Sequence, residues 1–170
     1  MAKNDTLAIC PGTFDPVTYG HLDLIDRALK IFDRVIVAVA ENAGKDPLFS
    51  LEERLDMVRR VTANKPGVRV ESFEGLIVEY AMRKKALALI RGVRMLSDFE
   101  YEFQMALTNR KLEPRVETLF LMPNESYAYL TSRLIKEIAK NGGETRSYVP
   151  KYVHGRLAER FGRDKRRTKK

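Results

Sequence analysis

Val35-Ile36-Val37-Ala38-Val39 is apolar at every position. Successive side chains of a strand point to opposite faces, so this run needs hydrophobic cover on both sides. Central strands of parallel sheets meet that demand. Leu7-Ala8-Ile9-Cys10, Ala86-Leu87-Ala88-Leu89-Ile90 and Thr118-Leu119-Phe120-Leu121-Met122 are of the same kind, and Val68 to Glu71 is a shorter candidate. Helical spacings lie between them. Leu22, Ile25, Leu29 and Phe32 recur at three and four. Ser50-Leu51-Glu52-Glu53 has capping-box spacing, with Leu51, Leu55, Val58 and Val61 behind it. Further helices are predicted over 76–84, 98–112, 133–141 and 150–161. Strands alternating with helices predict an α/β protein built as one domain on a doubly wound, five-stranded parallel sheet.

Composition narrows the function classes. The chain has 170 residues, 44% hydrophobic and 32% charged, which suits one soluble domain with a real core. A single cysteine excludes an internal disulfide framework and any multi-cysteine metal site. No apolar run approaches the roughly 20 residues that span a bilayer. Met1 to Cys10 lacks the pattern of a secretion signal, so a cytoplasmic location is expected.

The net charge of +8 first suggests nucleic acid, but seven basic residues and one acid fall within Arg160 to Lys170. A nearly balanced body over 1–159 with a basic tail over 160–170 is not a basic binding domain. The tail reads as a solvated, disordered terminus, with an electrostatic contact to RNA or an anionic surface as the alternative. Phe161 is its only aromatic, so base stacking among its cations has little support.

In open α/β sheets ligands bind outside the carboxyl ends of strands, where strand order reverses. After the first strand come Pro11-Gly12-Thr13-Phe14-Asp15-Pro16 and Thr18-Tyr19-Gly20-His21. A glycine permits close backbone approach, and a histidine at a helix start lies where free N–H groups favour an anion. Read alone, Gly20-His21 is better taken as a tight turn with a capping or core histidine. Lys45 follows the second strand, Arg91-Gly92-Val93-Arg94 the fourth, and Tyr127-Ala128-Tyr129-Leu130-Thr131-Ser132-Arg133 the fifth. Each has a plain alternative: Lys45 solvated, Arg94 paired to Asp98, Thr131 or Ser132 a cap. Four phosphate-friendly segments at strand carboxyl ends together predict a phosphate site.

The missing motifs limit the chemistry. There is no Walker-type loop, no Gly-x-Gly-x-x-Gly fingerprint, no Gly-x-Ser-x-Gly elbow and no metal constellation around His154. Cys10 is expected in the core. What remains is phosphoryl-type transfer by positioning and electrostatics, with a metal held mainly by substrate phosphates.

Residues 11–16 with Thr18-x-Gly-His21 resemble the first signature of the nucleotidylyltransferases. Pro47 to Arg54, Arg91 to Arg94, Asp98 to Glu102 and Phe120-Leu121-Met122-Pro123 narrow the resemblance to bacterial phosphopantetheine adenylyltransferases, from about Leu7 to Leu157. The resemblance implies a Rossmann-like fold and adenylyl transfer from ATP to 4′-phosphopantetheine, giving dephospho-coenzyme A and pyrophosphate in coenzyme A biosynthesis. It implies His21 as the catalytic residue. It places Thr13, Lys45 and Arg91 on the acceptor phosphate, and the backbone around Leu76 and Ile77, with Tyr101, Met105, Asn109 and Glu137, along the pantetheine arm. It places Thr13, Phe14, His21, Gly92, Val93, Arg94, Glu102 and the stretch Tyr127, Ala128, Tyr129, Leu130, Thr131, Ser132, Arg133 around ATP. It also implies Mg2+ with few or no protein ligands, a homohexamer and inhibition by coenzyme A. The chain departs from the usual pattern at Tyr127, where many members have Trp or another aromatic, and at Thr131-Ser132-Arg133, where many show a run of serines. Arg133 is read either as a contact to the β- and γ-phosphates or as part of the outer helix face.

Overall fold

The run at 35–39 forms the middle of strand β2 (Arg34–Ala40), whose side chains part as the apolar pattern requires. Val35, Val37 and Val39 enter one core with Ala8, Cys10 and Ile90, while Ile36 and Ala38 enter a second with Leu7, Ile9 and Leu89. A computed structural model describes residues 5–41 and 47–167. The other strands are β1 (Leu7–Gly12), β3 (Val68–Phe73), β4 (Ala88–Gly92) and β5 (Glu117–Leu121). The helices are α1 (Tyr19–Ala28), α2 (Leu51–Thr62), α3 (Ile77–Lys84), α4 (Leu96–Leu112), α5 (Ser132–Lys140) and α6 (Lys151–Arg167), with a short 3-10 turn at Glu125–Tyr127.

All pairings are parallel and the strand order is β3-β2-β1-β4-β5, a doubly wound, Rossmann-like sheet in one domain. After β1 the chain winds outward to β2 and β3, then crosses back to β4 on the other side. The reversal lies between β1 and β4, which opens a crevice above their carboxyl ends. Ile25, Leu55, Val58, Ile135, Val153 and Leu157 cover one face of the sheet, and Val78, Tyr80 and Ala81 of α3 the other.

Element edges differ from the sequence reading where backbone pairing or capping overrides the apolar pattern. Strand β1 continues through Pro11 and Gly12, because both pair with β2. The run 86–90 is divided: the Ala86 N–H closes onto the Ala81 carbonyl, after a left-handed Lys85, and β4 proper runs from Ala88 to Gly92. Met122 falls outside β5 and is exposed. Cys10 is buried as expected, and burial pushes its thiol up to about 12. No helix among the described residues is long and apolar enough to cross a membrane.

The expected disordered tail from Arg160 needs correction at its start, because α6 continues unbroken to Arg167. Arg160 donates to Glu53 at 2.6 Å and lies over the Phe49 ring at 5.2 Å, and Phe161 packs against the core. Charge density suggested solvation, but Phe161 is one helical turn beyond Leu157 and continues its buried stripe. A chain ending after Glu159 is expected to lose about 1–2 kcal/mol, mostly through Phe161, since a half-exposed ion pair contributes little. One ending after Gly162 is expected to melt with the parent. Thermal unfolding of the two truncations distinguishes them.

Candidate active site

The loop leaving β1 is the floor of the crevice. Gly12 leaves close room there: a Cβ on it would stand 3.0 Å from the Phe14 ring, which would have to give way by a few tenths of an ångström. Phe14 is buried and adopts a left-handed φ of 51°. Asp15 precedes a cis Pro16, and Thr18 then caps α1. The cap is reciprocal. The His21 N–H donates to Thr18 Oγ1 at 3.4 Å, while the Thr18 N–H donates to His21 Nδ1 at 3.0 Å.

That second bond fixes the imidazole chemistry. Because Nδ1 accepts, the proton of the neutral ring sits on Nε2. Burial, then the guanidiniums of Arg94 and Arg91, pull its pKa down from 6.5 to about 4. His21 is therefore a neutral donor at pH 7. The unfolded chain takes up a proton at this residue below about pH 6.5, and the folded chain resists it until about 4. The corresponding stability is full above about 6.5 and lost as pH falls from about 6.5 to 4. Urea midpoints should fall more steeply across that window in the parent than in His21→Gln.

A cavity of about 400 Å³ lies above this floor. Thr13, Phe14, His21, Gly92, Arg94, Glu102, Tyr127, Leu130, Thr131 and Ser132 of the expected nucleotide set line it, together with Arg91. Arg94 donates to Asp98 at 3.0 Å and to the Leu130 carbonyl at 2.7 Å, so the predicted pairing occurs and also ties β4 to the loop before α5. Thr131 caps α5 and Ser132 donates to the Pro16 carbonyl, so both hydroxyls hold backbone together at the rim. Val93, Ala128, Tyr129 and Arg133 stand outside the lining. Arg133 is exposed on α5.

A second cavity of about 270 Å³ opens beside the first, and Pro11, Gly12, Thr13, Arg91 and Glu102 border both. Ile77, Tyr101, Met105 and Asn109 of the expected acceptor set line it. Arg91 stands at the junction: its Nε donates to Glu102 at 2.7 Å, Nη2 pairs with the same carboxylate, and Nη1 donates to the Pro11 carbonyl at 3.0 Å. Leu76 instead borders a surface groove with Met82 and Leu112. Glu137 is exposed and lines neither cavity. Lys45 lies outside the described residues.

Sequence reading gave no role to Asp15 and omitted Lys136. Buried Asp15 accepts the N–H groups of Leu48 and Phe49, each at 3.0 Å, and the Lys136 ammonium at 2.6 Å. Lys136 borders the larger cavity and adds a cation there. Its signal was its place one helical turn after Ser132, which puts it on the same face of α5. Among the described residues no group of three His, Cys, Asp or Glu side chains converges as a metal cage. The carboxylates bordering the larger cavity, Asp15 and Glu102, are held by Lys136 and Arg91.

The cytidylyltransferase-like family model matches residues 9–138. The phosphopantetheine adenylyltransferase of Caldanaerobacter subterraneus subsp. tengcongensis is 56% identical over 155 residues, 91% of this chain and 97% of that protein. The chain belongs to the phosphopantetheine adenylyltransferase family. The Carboxydothermus hydrogenoformans member is 52% identical over 93% of this chain and 98% of its own length. Among solved structures, a bifunctional NMN adenylyltransferase/ADP ribose pyrophosphatase from Francisella tularensis superposes with a TM-score of 0.67 at 15% identity. The match covers 91% of this chain and 49% of that one, so the chain spans about half of that larger protein. At this identity the likeness concerns the fold. The same protein has also been solved in complex with AMP and a manganese ion.

Proposed function

We propose that this chain transfers the adenylyl group of ATP to 4′-phosphopantetheine, forming dephospho-coenzyme A and releasing pyrophosphate. The observation that carries the reading is the pair of cavities meeting at Thr13, Arg91 and Glu102. One is bordered by cations and helix N-termini, as a nucleotide triphosphate needs. The other is bordered by Ile77, Tyr101 and Met105, which suit an acceptor with a long, weakly polar arm. The names of relatives that match nearly the whole chain support the same substrates.

An acceptor phosphate oxygen attacks the α-phosphorus, and the bond to the β-phosphate oxygen breaks with departure of pyrophosphate. The acceptor phosphate is mostly dianionic at pH 7, so the attack requires no base. Arg91 offsets repulsion between the two anions, and proximity supplies much of the acceleration. His21 Nε2–H donates to an α-phosphate oxygen as charge gathers there in the transition state. Lys136 and the start of α5 receive the departing pyrophosphate.

The held carboxylates fit a magnesium ion whose ligands are phosphate oxygens, and such an ion would neutralise charge on the triphosphate. The reading further takes the enzyme as cytoplasmic, as a homohexamer and as inhibited by coenzyme A. Phe99, Phe103 and Leu107 are exposed at successive turns along one face of α4, an apolar stripe that supports assembly. The test is pyrophosphate release with ATP and, in turn, phosphopantetheine, nicotinate mononucleotide and glycerol 3-phosphate. Magnesium-dependent turnover is expected with phosphopantetheine alone, and equal turnover with another acceptor overturns the assignment.

A further inference from the structure

Arg54 lies within the Pro47 to Arg54 motif, and nothing in the mechanism above uses it. Its side chain is 1% exposed. A buried guanidinium is costly unless its donors are satisfied, and carboxylates are the common partners. Here the hydrogen bonds go to main chain: Nη1 donates to the Thr13 and Ala40 carbonyls, each at 2.8 Å, and Nε to the Phe49 carbonyl at 3.2 Å. Three segments are thereby joined at one side chain: the loop leaving β1, the end of β2 and the entry to α2.

We propose that Arg54 is a positioning residue for the phosphate site, holding the Thr13–Phe14 peptide so that the Phe14 N–H points into the larger cavity. The proposal rests on the reading of that cavity as the site where phosphate is transferred. In a trans peptide the carbonyl and the N–H point in opposite directions. Drawing the Thr13 carbonyl toward Arg54 in the protein body therefore turns the Phe14 N–H outward, to the cavity that Thr13, Phe14 and Asp15 border. Among the described residues none accepts that N–H. Phe14 has a positive φ, which a bulky residue keeps only when its surroundings fix it. Arg91 holds the Pro11 carbonyl, two residues earlier, in the same manner. A backbone donor fixed before the substrate arrives stabilises phosphate charge without reorganising.

The test uses Arg54→Lys, which keeps a charge but cannot reach three carbonyls in separate directions. Calorimetry with AMP should show affinity weakened about tenfold, and kcat should fall at least as far. Affinity for adenosine should stay within about twofold, a split that a general loss of packing would not produce. A folded variant with AMP affinity and kcat within about twofold of the parent overturns the proposal. If the variant does not fold, hydrogen exchange on the unaltered protein decides: AMP should slow exchange in the fragment spanning Gly12 to Asp15 more than adenosine does, and equal exchange overturns the proposal. If that fragment is protected but no dephospho-coenzyme A is formed from ATP and phosphopantetheine, the assigned reaction fails while the phosphate contact of the Phe14 N–H stands.

Discussion

His21→Ala is expected to lower kcat on the order of 100- to 1,000-fold while changing each KM only a few-fold. The magnitude is that of losing one fixed donor to charge that develops in the transition state. The sign of the KM effect follows from the same argument. The Nε2–H meets its full partner only once charge has gathered on the α-phosphate, so ground-state binding depends on it little. His21→Gln separates this role from the helix cap. Glutamine at the third helical position can still accept the Thr18 N–H, so the fold should be kept while the ring donor is lost. Steady-state kinetics beside thermal unfolding read both properties. Near-normal kcat in folded His21→Ala would remove His21 from the mechanism.

The second large effect concerns stability. Asp15→Ala should destabilise the fold by about 3–5 kcal/mol, because two backbone donors, Leu48 and Phe49, and one ammonium lose their acceptor together. For a chain of this size that is a drop in Tm of roughly 10 °C. Asp15→Asn retains a carbonyl acceptor but not the charge, so it should fall between parent and alanine variant. Urea unfolding measures the series. A midpoint for Asp15→Ala equal to that of the parent would show that the Asp15 bonds contribute nothing net to the fold. The arrangement also orients Lys136, so loss of Asp15 should release that cation from its fixed place at the cavity rim.

The sheet was legible in the sequence because its signals are local. Wholly apolar runs such as 35–39 require cover on both faces, and the helical spacings between them supply it. Much of the lining of the two cavities was legible too, since each strand announces where it stops and the crevice opens above the carboxyl ends. His21 could be read both as a helix cap and as an anion contact, and its two ring nitrogens let it serve as cap while leaving a donor free.

The sequence alone determined the alternation of strands and helices, the residues that leave each strand and the motifs of the family. Tertiary structure alone decided the strand order, and with it the crevice between β1 and β4. It also decided that Asp15 meets Lys136 from 121 positions away, that Arg54 reaches the Thr13 carbonyl across 41, and that Phe161 joins the core. Glu137 fell outside both cavities for a related reason: the chemistry of a side chain does not tell which way its helix turns it. Periodicity reports the environment a residue needs from its neighbours in the chain. Partners separated by a crossover are chosen by the packing of whole elements, which no local pattern encodes.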